Sequence, residues 1–372
     1  MIHYKFAARI EKVEVSGVRR IFDLVQSMPE AIDLSLGQAH FDVPEAIKQA
    51  AFDAIERGFN RYTVTQGIPE LHQKLRQKLE LKYGQGIDSI IITCGCSGGL
   101  FLALMVLVDR GDEVLIPDPH FVLYRHLVNV CDGIPIFIDT YPDLRIKPDR
   151  LKRLITPRTK ILIFNNPVNP TGVAYTAQEV QEIARIAMQH GILILSDEIY
   201  DHFIYDFPHE SMMRYQDPEG LILVSGFSKT YGMPGWRLGY AIGPHQIIEK
   251  MAMLQQFTFV CAPAPLQRAV ISALDYDMQD QIGQYRKKRD MVYEGLKGNF
   301  EVVLPQGAFY IFPKVPWGTD KEFVEAAIKN NVLIVPGSAF SQRGTHFRLS
   351  FAATDEAIEK GVDILNRLAK GR

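Results

Sequence analysis

Short, continuous apolar runs alternate with longer stretches of helical period through the middle of this chain. The runs are SIIIT (89–93), EVLI (113–116), IPIFI (134–138), KILIF (160–164), ILILS (192–196), LILVS (221–225) and RLGYAIG (237–243). Each is short and rich in Ile, Leu and Val, and continuous rather than alternating, as in strands buried on both faces. Between them, TAQEVQEIARIAMQHG (176–191) carries apolar residues at helical spacing, opens on Thr176 and closes on Gly191. GLFLALMVLVDRGD (99–112) predicts a more deeply buried helix. The alternation predicts an α/β fold: a large domain with a mostly parallel mixed sheet between helices. The last run follows its predecessor without a full helix, which makes it the candidate antiparallel strand.

The flanks differ. Residues 1–44 have few strand signals and include a turn-rich piece, LSLGQAHFDVP. Residues 280–372 open on a charged helix, IGQYRKKRDMVYEGLKGNF. Strands are expected near 301–304, 308–312, 332–335 and 346–351, and a helix over about 354–370. This predicts a smaller α+β domain formed by the C-terminal part. The N-terminal arm is expected to pack with it, because chain ends often meet in space. The expected division is an arm over 1–44, a large domain over 45–278 and a small domain over 279–372.

Composition narrows the function classes. The chain has 372 residues, 47% of them hydrophobic, ample for a sizeable core. A formal net charge of −2 argues against nucleic acid or an anionic membrane as partner. No apolar run is long enough to span a bilayer, and the first twenty residues lack the apolar core of a signal peptide. A cytoplasmic location is expected. Cys94 and Cys96 are too close for an ordinary disulfide, and Cys131 and Cys261 supply no second pair at zinc-ligand spacing. The ten histidines show no helical ligand pair, so no metal is expected.

In open parallel sheets, ligands sit beyond the carboxyl ends of strands. Five runs end in small or chemically useful residues: CGCSGGL, PDPHFVLY, NNPVNPTG, SDEIY and GFSK. In the first, Gly95 permits a tight turn and Ser97 can cap the following helix, making an anion seat. In the second, Phe121 offers a flat surface for an aromatic ring. In the third, Asn169 is held on rigid chain between prolines. In the fourth, Asp197 is expected half-buried at a strand end, where a bare carboxylate is costly and a protonated heterocyclic nitrogen would compensate it. Tyr200 could offer a phenol on the same side of that turn. Structural readings compete at each position: a capped helix, a core phenylalanine, a plain loop, a turn-capping aspartate.

SGFSKTYGMPGWRLGY (225–240) tips the balance. A partly desolvated Lys229 favours the neutral amine, the nucleophile that condenses with an aldehyde. Arg237, beyond a Gly-Pro-Gly region, returns with a fork of donors suited to phosphate. An aldehyde, a phosphate and a ring nitrogen on one aromatic ring describe pyridoxal 5′-phosphate.

GFSKTYGMPGWRLG resembles the lysine-attachment signature of the class I/II aminotransferases, the fold type I group of pyridoxal-phosphate enzymes. NPVNPTG, SDEIY and FRLSFA resemble further family motifs, in the family's order. The resemblance implies that Lys229 holds the cofactor covalently and shuttles the proton, and that Asp197 pairs with the ring nitrogen. Tyr200 and Asn169 would contact the ring's phenolic oxygen, and Phe121 would stack on the ring. Cys96, Ser97, Arg237 and Ser228 would surround the phosphate. Tyr62 would reach the phosphate of a neighbouring subunit in a homodimer with shared active sites. Arg348 would clamp the substrate carboxylate, with Gly37 as a backbone contact and Asn169 beside it. No motif places a second arginine for a side-chain carboxylate; Arg125 and Arg19 are weak candidates.

The implied activity is ping-pong transfer of an amino group between an L-amino acid (aromatic, aspartate-like or broad range) and a 2-oxo acid. A β-lyase acting on cysteine conjugates would use the same lysine motif. A metabolite-sensing regulator would need a DNA-binding module, and no basic helical domain precedes residue 30.

Overall fold

The computed structural model describes residues 4–14, 17, 21 and 27–371. The strands are β1 (Ile32–Asp33), β2 (Ser89–Cys94), β3 (Glu113–Asp118), β4 (Ile134–Asp139), β5 (Thr159–Asn165) and β6 (Leu193–Asp197). They continue with β7 (Leu221–Gly226), β8 (Leu238–Gly243), β9 (Tyr310–Ile311), β10 (Val332–Leu333), β11 (Val335–Pro336) and β12 (Phe347–Ser350). Seven of these form one sheet in the order β2-β8-β7-β6-β5-β3-β4. Only β8 runs against its neighbours β7 and β2.

The unbroken apolar runs divide residue by residue between two cores, since successive side chains leave opposite faces. Ile161, Ile163, Leu195, Ile222 and Val224 pack with the helices Gly95–Leu107 and His245–Thr258. Leu162, Phe164, Ile194, Leu221 and Leu223 pack on the other face with the helices Pro69–Tyr83 and Ala177–Gln189. Thr176 caps the latter helix in a reciprocal box with Glu179.

Strand direction fixes where chemistry collects. Cys94, Asn165, Asp197 and Gly226 close β2, β5, β6 and β7 at one edge. Because β8 is antiparallel, its start lies at that same edge, with Cys94 opposite Leu238 and Gly226 opposite Gly239. Arg237, just before β8, is thereby delivered beside the ends of the parallel strands.

The C-terminal part builds separate sheets. β11, β12 and β9 pair antiparallel, and the helices Gln279–Leu296 and Asp355–Lys370 pack together beside them. β1 joins β10 in parallel, Ile32 opposite Val332. This brings the segment before residue 44 against the C-terminal part.

Two expectations need correction. Residues 301–304 form no strand. Glu301 makes one backbone bond, from Lys314, and Pro305 follows with no N–H to extend a ladder. The helix expected from residue 99 begins at Gly95, and its N-cap is Cys94 with no side-chain cap. Ser97 lies inside the first turn and caps nothing. The small residues let this helix approach closely: a Cβ on Gly99 would lie 3.2 Å from Val224.

The turn after β6 is pinned from below by an ion pair between buried Asp201 and Lys82, whose side chain is about a third exposed. Opposed by burial, the nearby Lys82 still drives the Asp201 carboxyl far below its usual range. A depressed carboxyl stabilises the fold above its unfolded-state pKa, and that contribution disappears as pH falls through the acidic range. Lys82→Ala leaves Asp201 without its cation and should cost about 1 kcal/mol at neutral pH, because water reaches the lysine and screens the pair. Urea unfolding at pH 7 and pH 3 checks this: the deficit should shrink at the lower pH, and an equal deficit at both would exclude the ion pair as its source.

Candidate active site

A cleft of about 320 Å³ opens at the sheet edge where these strands end. Its base is the β6 carboxylate. Asp197 is 3% exposed, not half-buried as expected from sequence. The Tyr124 hydroxyl donates to its Oδ2 at 2.7 Å, while the Cys96 thiol (3.4 Å) and the Ile199 N–H (3.2 Å) donate to Oδ1. Burial nonetheless raises its pKa above the usual carboxylate range, against these donors. Neighbouring Glu198 leaves the opposite face of the chain. Its Oε1 accepts from Ser196, Ser211 and the Met212 N–H, so the two adjacent acids do not share a site.

Lys229 follows β7 and reaches across the cleft, its Nζ donating to the Gly37 carbonyl. Burial lowers its pKa to about 8, helped by the positive charges of Arg348 and Arg237. It lies 5.9 Å from the centre of the Tyr200 ring. The Tyr200 hydroxyl meets that of Tyr310 at 2.9 Å. Ser228, buried, lines the cleft beside Lys229.

Arg237 takes a left-handed backbone, φ 55°, and its Nη1 donates to the Pro234 carbonyl at 2.8 Å. Its guanidinium lies over Gly95, where a Cβ would come within 2.5 Å of Nη2. Glycine at position 95 is therefore required twice, by this approach and by its φ of +72°. Arg237 and the first turn holding Cys96 and Ser97 face one corner of the cleft, with Phe121 on its wall.

The opposite wall comes from the C-terminal sheet. Arg348 on β12 is 2% exposed and lies between aromatic faces, 4.5 Å from the Tyr310 ring centre and 4.6 Å from that of Phe340. Its Nη1 donates to Asn169 Oδ1 at 3.1 Å and its Nη2 to the Ser35 carbonyl at 2.7 Å. Its Nε is buried without a partner. Burial holds its pKa below the usual range. Among the described residues that line the cleft, Asp197 is the one acid against the three cations Lys229, Arg237 and Arg348. Such a space is built to receive an anion.

The profile of the family "Aminotransferase class I and II" matches residues 29–365. The chain belongs to that family. It is an aminotransferase. It is 39% identical to a probable aspartate aminotransferase of Methanocaldococcus jannaschii, covering 97% of this chain and 99% of that protein. It is 36% identical to aromatic-amino-acid aminotransferase 2 of Thermococcus litoralis, over 97% of each. Among solved structures, Thermus thermophilus aspartate aminotransferase with maleate matches at a TM-score of 0.95, 31% identity and coverage of 98% of this chain and 100% of that one.

Within this aminotransferase, Gly37, Cys96, Ser97, Phe121 and Asn169 line one cleft together with Asp197, Tyr200, Ser228, Lys229, Arg237 and Arg348. Tyr62 does not join them: it is 84% exposed, outside the cleft of its own chain. Arg125 is engaged with Glu14 at 2.7 Å and does not line the cleft. Arg19 lies outside the described residues. Sequence reasoning passed over Tyr124, Tyr310 and Asn165, which also line the cleft. Tyr124 was available as the third residue after Phe121 in PHFVLY. Tyr310 carried no local signal, because the pairing of β9 with β12 brings it to Arg348.

With a pKa of about 8, Lys229 should be the most reactive lysine of the ligand-free protein near neutral pH. Brief acetylation followed by peptide mass mapping should give a rate midpoint near 8 for this residue. A midpoint above about 10, the ordinary lysine value, would mean that burial and the two arginines do not act on it.

Proposed function

We propose that this cleft holds pyridoxal 5′-phosphate and that the enzyme moves an amino group between an L-amino acid and a 2-oxo acid. The residues fit the group on three observations. Asp197 is a buried carboxylate with only neutral donors within hydrogen-bond reach, and its pKa is raised. Gly95 leaves room for a guanidinium beside a helix N-terminus of thirteen residues, a seat for phosphate. Lys229 offers a readily deprotonated amine between those two points. The last carries the reading: a lysine in a cationic, water-poor cleft is costly unless its neutral form is used.

When bound, the cofactor supplies an electron sink that lets a Cα–H bond ionise. The remaining roles fall to the chain. Asp197 accepts a hydrogen bond from the ring nitrogen and keeps it protonated. Arg237, Ser228 and the turn at Cys96 and Ser97 hold the phosphate, Phe121 covers the ring, and Tyr200 and Asn169 address its phenolic oxygen. Lys229, neutral near its pKa, takes the proton from the substrate Cα and returns it to the acceptor carbon. Arg348 presents its guanidinium to the substrate α-carboxylate; the unpaired Nε is a donor in hand. Gly37 stays small because a Cβ there would lie 2.5 Å from the Tyr310 hydroxyl.

The relatives named for aspartate and for aromatic amino acids support a donor range spanning both kinds of side chain. A homodimer fits the exposed apolar residues around Tyr62. Val64, Phe52, Ile55 and Phe257 are all exposed, and Gln255 ties the Phe257 helix to the Tyr62 loop through the Thr65 carbonyl at 2.7 Å. In that assembly Tyr62 enters the partner's cleft.

Mixed with pyridoxal 5′-phosphate, the protein should absorb in the visible and lose that band when aspartate, tyrosine or phenylalanine is added. Lys229→Ala should cut turnover by about three orders of magnitude. Arg348→Ala should lower kcat/KM about a hundredfold, mostly through KM. Near-wild-type turnover by Lys229→Ala would overturn the reading. Pyruvate and ammonia formed without an acceptor acid would redirect it to elimination.

A further inference from the structure

We propose that Tyr124 and Cys96 are positioning residues that hold Asp197 as an oriented anion for the ring nitrogen of the cofactor. The inference rests on the cofactor reading above. It assigns the Cys96 side chain a task separate from that of its backbone turn. The two donors come from different helices, Leu123–Val130 and Gly95–Leu107, and each meets a different oxygen: Tyr124 Oη meets Oδ2 at 2.7 Å and Cys96 Sγ meets Oδ1 at 3.4 Å. With the Ile199 N–H on Oδ1 at 3.2 Å, both oxygens are engaged and the carboxylate plane is set.

The direction of these bonds matters more than their number. Burial by itself shifts Asp197 towards the neutral acid. A neutral acid presents its own proton to a ring nitrogen and leaves that nitrogen unprotonated. Two flanking O–H and S–H donors oppose this, because they stabilise the ionised form more than the neutral one. Burial drives the phenol and the thiol well above their usual ranges. Both therefore keep their protons to give across the neutral range. The phenol bond is short and the thiol is a weak donor, so Tyr124 carries the larger share. Tyr124 is 1% exposed and packs edge-on to Phe121, ring centres 5.6 Å apart, which fixes the direction of its hydroxyl.

The test compares two ligands of the cofactor-free protein: pyridoxal 5′-phosphate, and its deaza analogue with carbon in place of the ring nitrogen. Affinities are read by equilibrium titration of the visible band for wild type, Tyr124→Phe, Cys96→Ala and Cys96→Ser. Tyr124→Phe should weaken the natural ligand about tenfold and Cys96→Ala about threefold. Neither should change affinity for the analogue, and Cys96→Ser, which keeps a donor, should restore the wild-type value. A purely structural role would weaken both ligands together, and that result would overturn the proposal. So would Cys96→Ser behaving like Cys96→Ala; the cysteine variants keep the test decisive if Tyr124→Phe does not fold. Wild type that fails to bind pyridoxal 5′-phosphate would overturn the cofactor reading first. Wild type that binds it, with unchanged variants, would overturn this proposal alone.

Discussion

Accommodating a carboxyl group in a water-poor place is the constraint from which the cleft follows. Asp197 ends a strand flanked on both sides by parallel neighbours, so it has almost no contact with solvent. An uncompensated charge there would cost several kcal/mol. The fold answers with three neutral donors at hydrogen-bond distance and with positive charge further out, on Lys229, Arg237 and Arg348. Each of those cations is itself desolvated or short of an acidic partner. The charges balance only when an anionic ligand joins them.

Topology makes this assembly possible. Parallel strands deliver their chemistry to one edge, and a single reversed strand lets the residue before it reach the same edge. The other wall belongs to a different layer, in which Arg348 is buried between two aromatic rings. The rings exclude water without supplying a counter-charge. That combination holds the guanidinium in place and leaves it without an acidic partner among the residues lining the cleft.

Much of this edge could be read from the chain because buried parallel strands are monotonous. Where a run of Ile and Leu stops at Asp, Asn, Gly or Lys, the exception is conspicuous. Asp197, Asn169 and Lys229 were found in this way, and the reversed direction of β8 followed from the missing helix before it. What was hidden depends on contacts between distant segments. The depth of Asp197 is set by strands on both sides of it, and Tyr310 reaches Arg348 through a register that no local pattern encodes. Ser97 was misread because glycine-rich sequence suggests a turn. Here the same glycines let a helix begin early and press against the sheet. Residues 301–304 have the composition of a strand, but the one backbone bond across them is that from Lys314 to Glu301, too little for a ladder. Tyr62 is exposed and lies outside the cleft, so nothing in this chain alone reports on the role its motif implies.

The short parallel pairing of β1 with β10 has a consequence for the order in which the molecule is made. The sheet edge with Asp197, Lys229 and Arg237 is complete in the nascent chain long before β10 and β12 leave the ribosome. The segment holding Ser35 and Gly37, synthesised first, has to wait for the strand that will fasten it. During translation the cationic sheet edge therefore precedes the wall that carries Arg348. A polypeptide released early would carry the first without the second.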